Sequence, residues 1–319
     1  TEEVEDLATG IVMGTGAGAS ITDVDFMCGR FKARGGAKVG AYHVPLIMGS
    51  SLTANIGSLF RIHGHSYSVT SACSTSAHAI MIGMDLIRSG RQKRMLVGGT
   101  EDINLFSASA FDGMNALSSA FNDEPHRASR PLDKDRDGFV FSGGSGILVL
   151  EDLELAKSRG ATIHALVAGA AASCDGDDMV VPNGLGAQRA MRNAIADADI
   201  STSDIGYINL HGTSTPAGDL IEIEAIRDVF GDDVPPFSST KSMTGHSLGA
   251  AGAQEAIFCT LMMRDGFLAP NINLDYPEDQ VVDLPVVRET QATDLRYALS
   301  NSFGFGGTNC SLVWSCNSE

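Results

Sequence analysis

The segment Ser71-Ala72-Cys73-Ser74-Thr75-Ser76-Ala77 decides how the rest of this chain is interpreted. The residues before it, Tyr67 to Thr70, are β-branched or aromatic at alternate positions and predict the end of a short buried strand. Ala77 to Arg88 is rich in Ala, Ile, Met and Leu and predicts a helix that Gly90 ends. Cys73 therefore lies where a strand turns into a helix, and the partial positive charge at the helix N-terminus favours its thiolate.

Cys73 has two interpretations at this position. A buried cysteine commonly acts as a small hydrophobic residue. The small neighbours of Cys73, which leave room for a substrate, favour a nucleophile instead. Two histidine motifs decide between the interpretations: Asn209 to Asp219 (NLHGTSTPAGD) contains His211, and Lys241 to Gly252 (KSMTGHSLGAAG) contains His246. A lone histidine before a glycine is usually structural, but two histidines in full motifs beside a candidate nucleophile indicate catalysis.

These three segments and a fourth near the C-terminus, Asn301 to Asn309 (NSFGFGGTN), resemble the β-ketoacyl-ACP synthases, the condensing enzymes of fatty acid synthesis. The resemblance extends over essentially the whole chain, and four motifs in the same order make it specific. Tyr67 to His78 (YSVTSACSTSAH) and the Ser247 that follows His246 favour the synthase I form. A synthase II form, or a ketosynthase of polyketide or polyunsaturated fatty acid synthesis, stays open.

The resemblance implies an α/β fold of the thiolase type, in which two similar halves each contain a five-stranded mixed sheet and the layers alternate α-β-α-β-α. Residues 1–160 are expected to form the N-terminal half with the nucleophile, and residues 161–319 the C-terminal half with both histidines. Family members carry a leading segment that this chain does not show, so the first half is expected to be truncated at its start. An internal repeat agrees with two similar halves, because Cys73 to Gly90 aligns without gaps with Gly249 to Gly266.

The resemblance also assigns the chemistry. Cys73 would hold the acyl chain as a thioester, and neutral His211 and His246 would stabilise the enolate formed when malonyl-ACP loses CO2. The backbone N–H groups of Cys73 and Phe305 would form the oxyanion hole. Lys241 would tune the charge of the site, and its interpretation as a buried lysine paired with a carboxylate such as Glu222 is not exclusive of this role.

Further residues match substrate-binding positions of the family. Thr213 and Thr215 match contacts to phosphopantetheine, and Phe305, next to Phe303, matches a gating phenylalanine. Phe139 matches an active-site phenylalanine, while Phe111 and Met48 match the acyl pocket. No cofactor is required by this resemblance, although a structural monovalent cation is found in some relatives. The residues that match that cation site are Asn209, Glu255, Ser300 and Asn301.

Charge and composition limit the partners. The chain has 319 residues and a formal net charge of −17, which argues against nucleic acid as a partner. Within this acidic chain, Arg30 to Lys38 forms a basic cluster, and an acidic acyl carrier protein would need such a patch for docking. Arg34 and Lys38 match carrier-contacting positions of the family, which is homodimeric through the nucleophile half.

The location of the protein is predicted from absences in the sequence. No run of 18 apolar residues predicts a membrane span. Six cysteines without CxxC spacing indicate a reducing compartment, either the cytoplasm or an organelle.

Two other segments resemble known binding motifs, and several other functions compete with this interpretation. Gly14 to Ala19 nearly fits a dinucleotide-binding fingerprint but lacks the helix and the acidic residue that should follow. Asp133 to Gly138 resembles the start of a calcium loop, but its twelfth position is Gly144. A thiolase, a synthase III, a cysteine hydrolase and a non-catalytic chain-length factor remain the competing functions. The last of these would lack the nucleophilic cysteine, which is present here.

Overall fold

The computed structural model describes residues 7–17, 21–36 and 39–316. The strands are β1 Thr9–Gly14, β2 Ser66–Val69, β3 Arg94–Glu101, β4 Gly144–Glu151, β5 Leu166–Cys174, β6 Tyr207–Asn209, β7 Phe237–Ser238, β8 Phe267–Leu268, β9 Gln291–Ala292, β10 Tyr297–Gly304 and β11 Thr308–Ser315. The helices are α1 Ile21–Arg34, α2 His43–Ile47, α3 Ser51–Phe60, α4 Thr75–Arg88, α5 Leu105–Gly113, α6 Leu153–Ser158, α7 Leu185–Asp197, α8 Gly218–Phe230, α9 Lys241–Thr244 and α10 Ala251–Asp265.

Two mixed sheets share the same topology. The second sheet has the order β5-β11-β10-β6-β7, in which β10 is parallel to β6 and antiparallel to β11. The first sheet has the order β2-β1-β3-β4, in which β3 is parallel to β1 and antiparallel to β4. When the second order is reversed, the two sheets match strand by strand: β2, β1, β3 and β4 correspond to β7, β6, β10 and β11.

The number of strands differs from the prediction in one half. The second sheet has the five strands expected of it. Among the residues that the structure describes, the first sheet has four, because nothing pairs with β4 on the side where β5 pairs with β11. The mixed pairing and the common strand order nevertheless match the predicted fold, while the division at residue 160 stays a prediction.

Two central helices separate the sheets. Helix α4 contacts β1 and β3 on one side and β11 on the other, and α10 likewise contacts both sheets. The two helices approach closely because small residues face each other: a Cβ on Gly252 would lie 2.9 Å from the backbone nitrogen of Ala77. The backbone N–H of Ala253 also donates to Ser76 Oγ at 2.9 Å. Helix α7 packs against β5 and β11 of the second sheet with α8 beside it, and α3 packs against β1 and β2 of the first, which gives the α-β-α-β-α order.

The predicted internal repeat is present in the structure. Each central helix is preceded by a 3₁₀ turn, Ala72–Ser74 before α4 and Leu248–Ala250 before α10. The first residue of each turn has a positive φ, +48° at Ala72 and +44° at Leu248. Such a backbone conformation is uncommon for residues other than glycine, so both turns are held by their surroundings.

Other sequence predictions are only partly correct. The sequence from Val44 to Ile62, with Pro45 near its start, predicts one helix, but the structure has α2 and α3, separated at Met48 to Ser50. Met48 has an extended backbone (ψ 141°), which ends α2. Asp133 to Gly138 forms turns and ion pairs, as expected from its rejection as a calcium loop. In the described part of the chain, no helix is both long and apolar enough to span a membrane.

Candidate active site

Cys73 lies in the 3₁₀ turn between β2 and α4, at the strand-to-helix junction that the sequence predicts. The turn is anchored to the opposite half of the molecule. The hydroxyl of buried Ser74 lies 2.8 Å from two main-chain oxygens, those of Ser302 on β10 and Thr308 on β11. Since those strands continue into the Phe305 loop, the nucleophile and this loop are held against each other.

His211 and His246 lie close to Cys73, as predicted. His211 follows β6, and His246 lies in the turn after α9. One ligand atom from each of Cys73, His211 and His246 lies within 4.8 Å of the other two. The two imidazole rings are nearly perpendicular, with centroids 5.3 Å apart. The two halves therefore contribute to one site.

The histidine loops are positioned by backbone contacts rather than by bonds to the rings. Glu222 accepts the N–H groups of His211 and Gly212 at 2.9 and 2.8 Å. His246 pairs with the segment after Phe139, through its N–H to the Val140 carbonyl at 2.8 Å. Three ring nitrogens have no hydrogen-bond partner among the described residues: both nitrogens of His246 and the Nδ1 of His211. The hydrogen-bonding capacity of these buried nitrogens is therefore not used within the protein.

Both imidazoles are neutral at physiological pH. Burial lowers the pKa of His211 and of His246 well below 6.5, and the positive charge of Lys241 lowers each further. A neutral imidazole can donate one N–H while it accepts at the other nitrogen. This is the protonation state that the predicted role at the enolate requires.

Burial opposes the thiolate that the sequence predicts at Cys73. It raises the pKa of the Cys73 thiol to about 11, although Lys241 and the backbone N–H groups of Phe305 and Cys73 lower it. Desolvation therefore acts against the stabilisation that a helix N-terminus offers the thiolate. The thiol must lose its proton when it attacks, and the neutral histidines within 4.8 Å are the nearby bases.

Lys241 is buried and paired, but with a different carboxylate from the one suggested. Its ammonium group hydrogen-bonds Glu255, and both side chains are only 2% exposed. Glu222 instead holds the His211 loop. Burial raises the pKa of Glu222 and of Glu255 to about 7, and the Lys241 charge lowers both. The charge of Lys241 thus acts on two buried carboxylates, Glu222 and Glu255, close to the histidines.

A cavity of about 330 Å³ opens onto these groups. Cys73, His211 and His246 lie in its wall, and so do most of the predicted substrate-binding residues: Thr213, Thr215, Phe111, Phe139, Phe303 and Phe305. Phe111 contacts Phe139 edge-on at 5.2 Å and Phe305 at 6.4 Å between ring centroids. The lining is mostly apolar near these rings, which suits an acyl chain.

Two predicted residues, Met48 and Arg34, lie outside the wall of this cavity. Met48, at the end of α2, is not part of the wall of this cavity, so its role at the acyl chain stays a prediction. Arg34 is exposed at the end of α1. Lys38 lies outside the described residues.

Comparison with known protein families identifies the family of this chain. The family model of the β-ketoacyl synthase N-terminal domain matches residues 1–156, and that of the C-terminal domain matches residues 164–275. The chain belongs to the β-ketoacyl synthase family.

Relatives and solved structures agree with the family. A 3-oxoacyl-[acyl-carrier-protein] synthase 1 from Escherichia coli is 48% identical over 307 residues, which are 95% of this chain and 74% of the relative. The structure of a β-ketoacyl synthase from Burkholderia phymatum has a TM-score of 0.93 at 36% identity, covering 99% of this chain and 77% of that one. A type II polyketide ketosynthase, solved with its acyl carrier protein and bound to the hexaketide, has a TM-score of 0.90 at 29% identity and covers 98% of this chain and 79% of that one.

Sequence reasoning missed two buried charged residues of this β-ketoacyl synthase. Arg136 donates to the carbonyl oxygens of Thr215 at 3.0 Å and Pro216 at 2.5 Å, behind the cavity wall. Glu101 accepts the N–H groups of Gly16 and Gly249 at 2.7 and 3.0 Å. The signal for Arg136 was its place in an acidic turn before Phe139, whereas nothing near Glu101 in sequence announces its contacts.

The synthase site contains two sets of atoms with the chemistry of metal ligands. Cys73, His211 and His246 offer a sulfur and two nitrogens, a donor set that zinc prefers. The charge of Lys241 acts on all three and opposes a bound cation. The other set is that of the predicted cation site, which consists of Asn209, Glu255, Ser300 and Asn301. The Oε2 atom of Glu255 is buried without a hydrogen-bond partner among the described residues.

Proposed function

We propose that this chain catalyses the decarboxylative condensation of malonyl-ACP with an acyl chain bound to Cys73, giving β-ketoacyl-ACP and CO2 in fatty acid elongation. The observation that carries the proposal is the meeting of Cys73, His211 and His246 within 4.8 Å in an apolar cavity. A thiol nucleophile and two neutral imidazoles supply the two kinds of chemistry that a condensation needs.

The first step is acyl transfer. The Cys73 sulfur attacks the thioester carbonyl of acyl-ACP while its proton passes to a neutral histidine. The tetrahedral oxyanion lies within reach of the backbone N–H groups of Cys73 and Phe305, both of which also lower the pKa of the thiol. The bond to the carrier thiolate breaks, and the carrier leaves with the proton. Cys73 then carries the acyl chain as a thioester.

The second step is decarboxylation and condensation. The C–C bond to the malonyl carboxylate breaks, CO2 leaves, and its electron pair forms an enolate on the malonyl thioester. His211 and His246 donate N–H groups to the enolate oxygen, because both residues line the cavity close to the Cys73 sulfur. The enolate carbon attacks the acyl-Cys73 carbonyl, and the Cys73 sulfur leaves as a thiolate, which takes up one proton from solvent.

The proposed partner is acyl carrier protein. Thr213 and Thr215 lie in the cavity wall with their hydroxyl oxygens 3.2 Å apart, where a phosphopantetheine amide would pass. Exposed Arg34 offers positive charge on an acidic chain, which would favour docking of an acidic carrier. The polyketide relative solved with its carrier protein supports the same class of partner.

We expect a homodimer assembled on the first half. Strand β2 is an edge of its sheet, and Tyr67 on it is 46% exposed. Two large apolar side chains, Leu59 and Phe60, are also exposed on α3, which packs against β2. An edge strand flanked by exposed apolar side chains favours association with a second copy. Sedimentation of the purified protein would measure its mass.

A structural monovalent cation beside Glu255 is a further proposal. Asn209 and Ser300 are paired across β6 and β10, Asn301 follows Ser300, and Glu255 keeps one buried oxygen unpartnered. When both are ionised, Glu222 and Glu255 carry more negative charge than Lys241 neutralises, and a bound cation would balance that charge. Potassium should then raise the melting temperature relative to a bulky organic cation in wild type, and not in Glu255→Gln.

We place the reaction in the cytoplasm or in an organelle. The thiols of five cysteines form no disulfide in the structure, as a reducing compartment would leave them: Cys28, Cys73, Cys174, Cys259 and Cys310. The choice between a synthase I and a synthase II preference would be made by the acyl chain lengths that Cys73 accepts.

The test is the intact mass of the protein after incubation with acyl-ACP and then malonyl-ACP. Wild type should gain one acyl group, and malonyl-ACP should discharge it, whereas Cys73→Ala should gain none. Acylation of Cys73→Ala would disprove the nucleophile. A wild-type protein that never gains an acyl group, although folded, would favour the alternative of a non-catalytic partner subunit.

A further inference from the structure

Glu101, the last residue of β3, has no role in the mechanism above. Its side chain is 5% exposed and lies between the two halves of the molecule. The Oε2 atom accepts the N–H of Gly16, in the loop after β1, at 2.7 Å. The same atom accepts the N–H of Gly249 at 3.0 Å, and Gly249 lies three residues after His246. One carboxylate oxygen thus joins a loop of the first half to the histidine loop of the second.

The nucleophile turn meets the same point. A Cβ placed on Gly16 would lie 2.6 Å from Glu101 Oε2, 3.1 Å from the Gly249 nitrogen and 3.4 Å from the Ala72 oxygen. Ala72 immediately precedes Cys73. The loop after β1, the turn before α4 and the turn before α10 therefore converge beside one buried carboxylate.

Both turns at this point have a constrained backbone. Ala72 has φ +48°, and Leu248, the residue before Gly249, has φ +44° and lines the cavity. Residues other than glycine keep such conformations only where the surrounding structure holds them. Glu101 supplies part of that support, because its bond to Gly249 fixes the residue that follows Leu248.

We propose that Glu101 is a positioning residue that fixes the Cys73 turn relative to the His246 loop. This inference rests on the proposed condensation. Two backbone N–H groups point at one oxygen, which a carboxylate or an amide oxygen can accept and a methyl group cannot. The bonds set the distance between the acyl-Cys73 carbonyl and the histidines that stabilise the attacking enolate.

The experiment compares Glu101→Ala with Glu101→Gln, which keeps an acceptor oxygen of the same reach. Asp102→Asn is the matched control, since Asp102 is the exposed carboxylate next in the chain. We expect Glu101→Ala to lower the kcat of condensation by about 100-fold, the size of effect that a displacement of about 1 Å can cause. Glu101→Gln should stay within about tenfold of wild type, and the control should match wild type.

Two further readouts separate positioning from loss of folded enzyme. The fraction of Cys73 that acyl-ACP acylates at saturation should be unchanged in Glu101→Ala, because the nucleophile is still present. The KM for malonyl-ACP should also be unchanged, because Thr213 and Thr215 are not affected. A general structural defect would lower the acylated fraction instead and would contradict positioning.

Other outcomes also decide. A normal kcat in Glu101→Ala, or equal losses in the Ala and Gln variants, would overturn the proposal. If Glu101→Ala does not fold, Glu101→Asp replaces it: the shorter carboxylate keeps the charge but withdraws the acceptor, so it should be slower than Glu101→Gln. The reverse order would overturn the proposal. Failure of wild type to form an acyl-enzyme would instead contradict the proposed function.

Discussion

Lys241 donates a hydrogen bond to Glu255, and each side chain is 2% exposed in the layer behind the two histidines. The pair places a positive charge where it lowers the pKa of Cys73, His211 and His246 together. Glu222, the second carboxylate near Lys241, is occupied by the backbone of the His211 loop. Lys241 therefore has two effects: its charge lowers the pKa values of the catalytic groups, and its bond to Glu255 stabilises a buried carboxylate.

Replacement of Lys241 by methionine should reduce both properties. Two buried carboxylates would lose their cation, and removal of one partner of a buried pair costs about 3–5 kcal/mol of unfolding free energy. Urea denaturation measures this loss. The double variant Lys241→Met/Glu255→Gln should recover much of the stability, because no unpaired carboxylate remains at residue 255, but should not recover condensation. Recovery of condensation in the double variant would show that the lysine charge has no role in the chemistry.

The pH dependence of CO2 release should report the neutral histidines. Burial lowers the pKa of His211 and His246 well below 6.5, so both stay uncharged as the pH falls through that value. In Cys73→Ala, which separates decarboxylation from acyl transfer, the rate of CO2 release from malonyl-ACP should be flat from about pH 8 to about pH 6.

A decline of that rate centred near 6.5 would mean that a histidine of ordinary pKa is required, against the structure. His211→Ala and His246→Ala in the same background identify which ring matters. Each should lower the rate by about 100-fold or more, as loss of an oxyanion donor does. His126 lies in a turn outside the cavity, so His126→Ala is the control.

Cys73 should titrate as a buried thiol. Its pKa of about 11 lies above the usual value, so the thiolate fraction, and with it the rate of alkylation by iodoacetamide, should rise about tenfold for each pH unit from about 7 to 10. Lys241→Met removes a charge that lowers this pKa and should slow alkylation further. Peptide mass mapping separates Cys73 from exposed Cys28 and Cys174. A plateau below about pH 8 would show a thiolate at rest and contradict this assignment.

The sequence predicts what depends on local pattern. The strand-to-helix junction at Cys73, the repeat at Gly249 and the motifs around His211 and His246 each combine a fold signal with a chemical one. The meeting of these residues in one site followed from the resemblance and is found in the structure.

What the sequence did not predict depends on partners far apart in the chain. Lys241 bonds Glu255 rather than Glu222, and Glu101 joins Gly16 to Gly249, 233 positions later in the numbering. The net effect of burial on the Cys73 pKa likewise depends on how fully the assembled halves enclose the sulfur. Neither pairing nor desolvation can be read from the residues next to Cys73.

Arg136 should control binding of the carrier's prosthetic group rather than the bond-making steps. The side chain of Arg136 is 2% exposed, and its guanidinium donates to the carbonyls of Thr215 and Pro216 and to Glu278 at 2.6 Å. Lysine has the same charge but cannot donate in several directions from one plane, so Arg136→Lys should loosen the loop that carries Thr215.

We expect Arg136→Lys to raise the KM for malonyl-ACP by about tenfold while kcat changes little, since lysine would lose at least one of the two loop hydrogen bonds, each worth about 1 kcal/mol. Steady-state kinetics measure both constants. Arg264→Lys is the matched control, because Arg264 is exposed on α10 and pairs only with its neighbour Asp265 among the residues described. A fall in kcat without a change in KM would instead show that Arg136 acts on the histidines. The route would be Gly138 and Phe139, which follow Arg136 in the same turn. The ring of Phe139 contacts that of His246, with the centroids 5.4 Å apart.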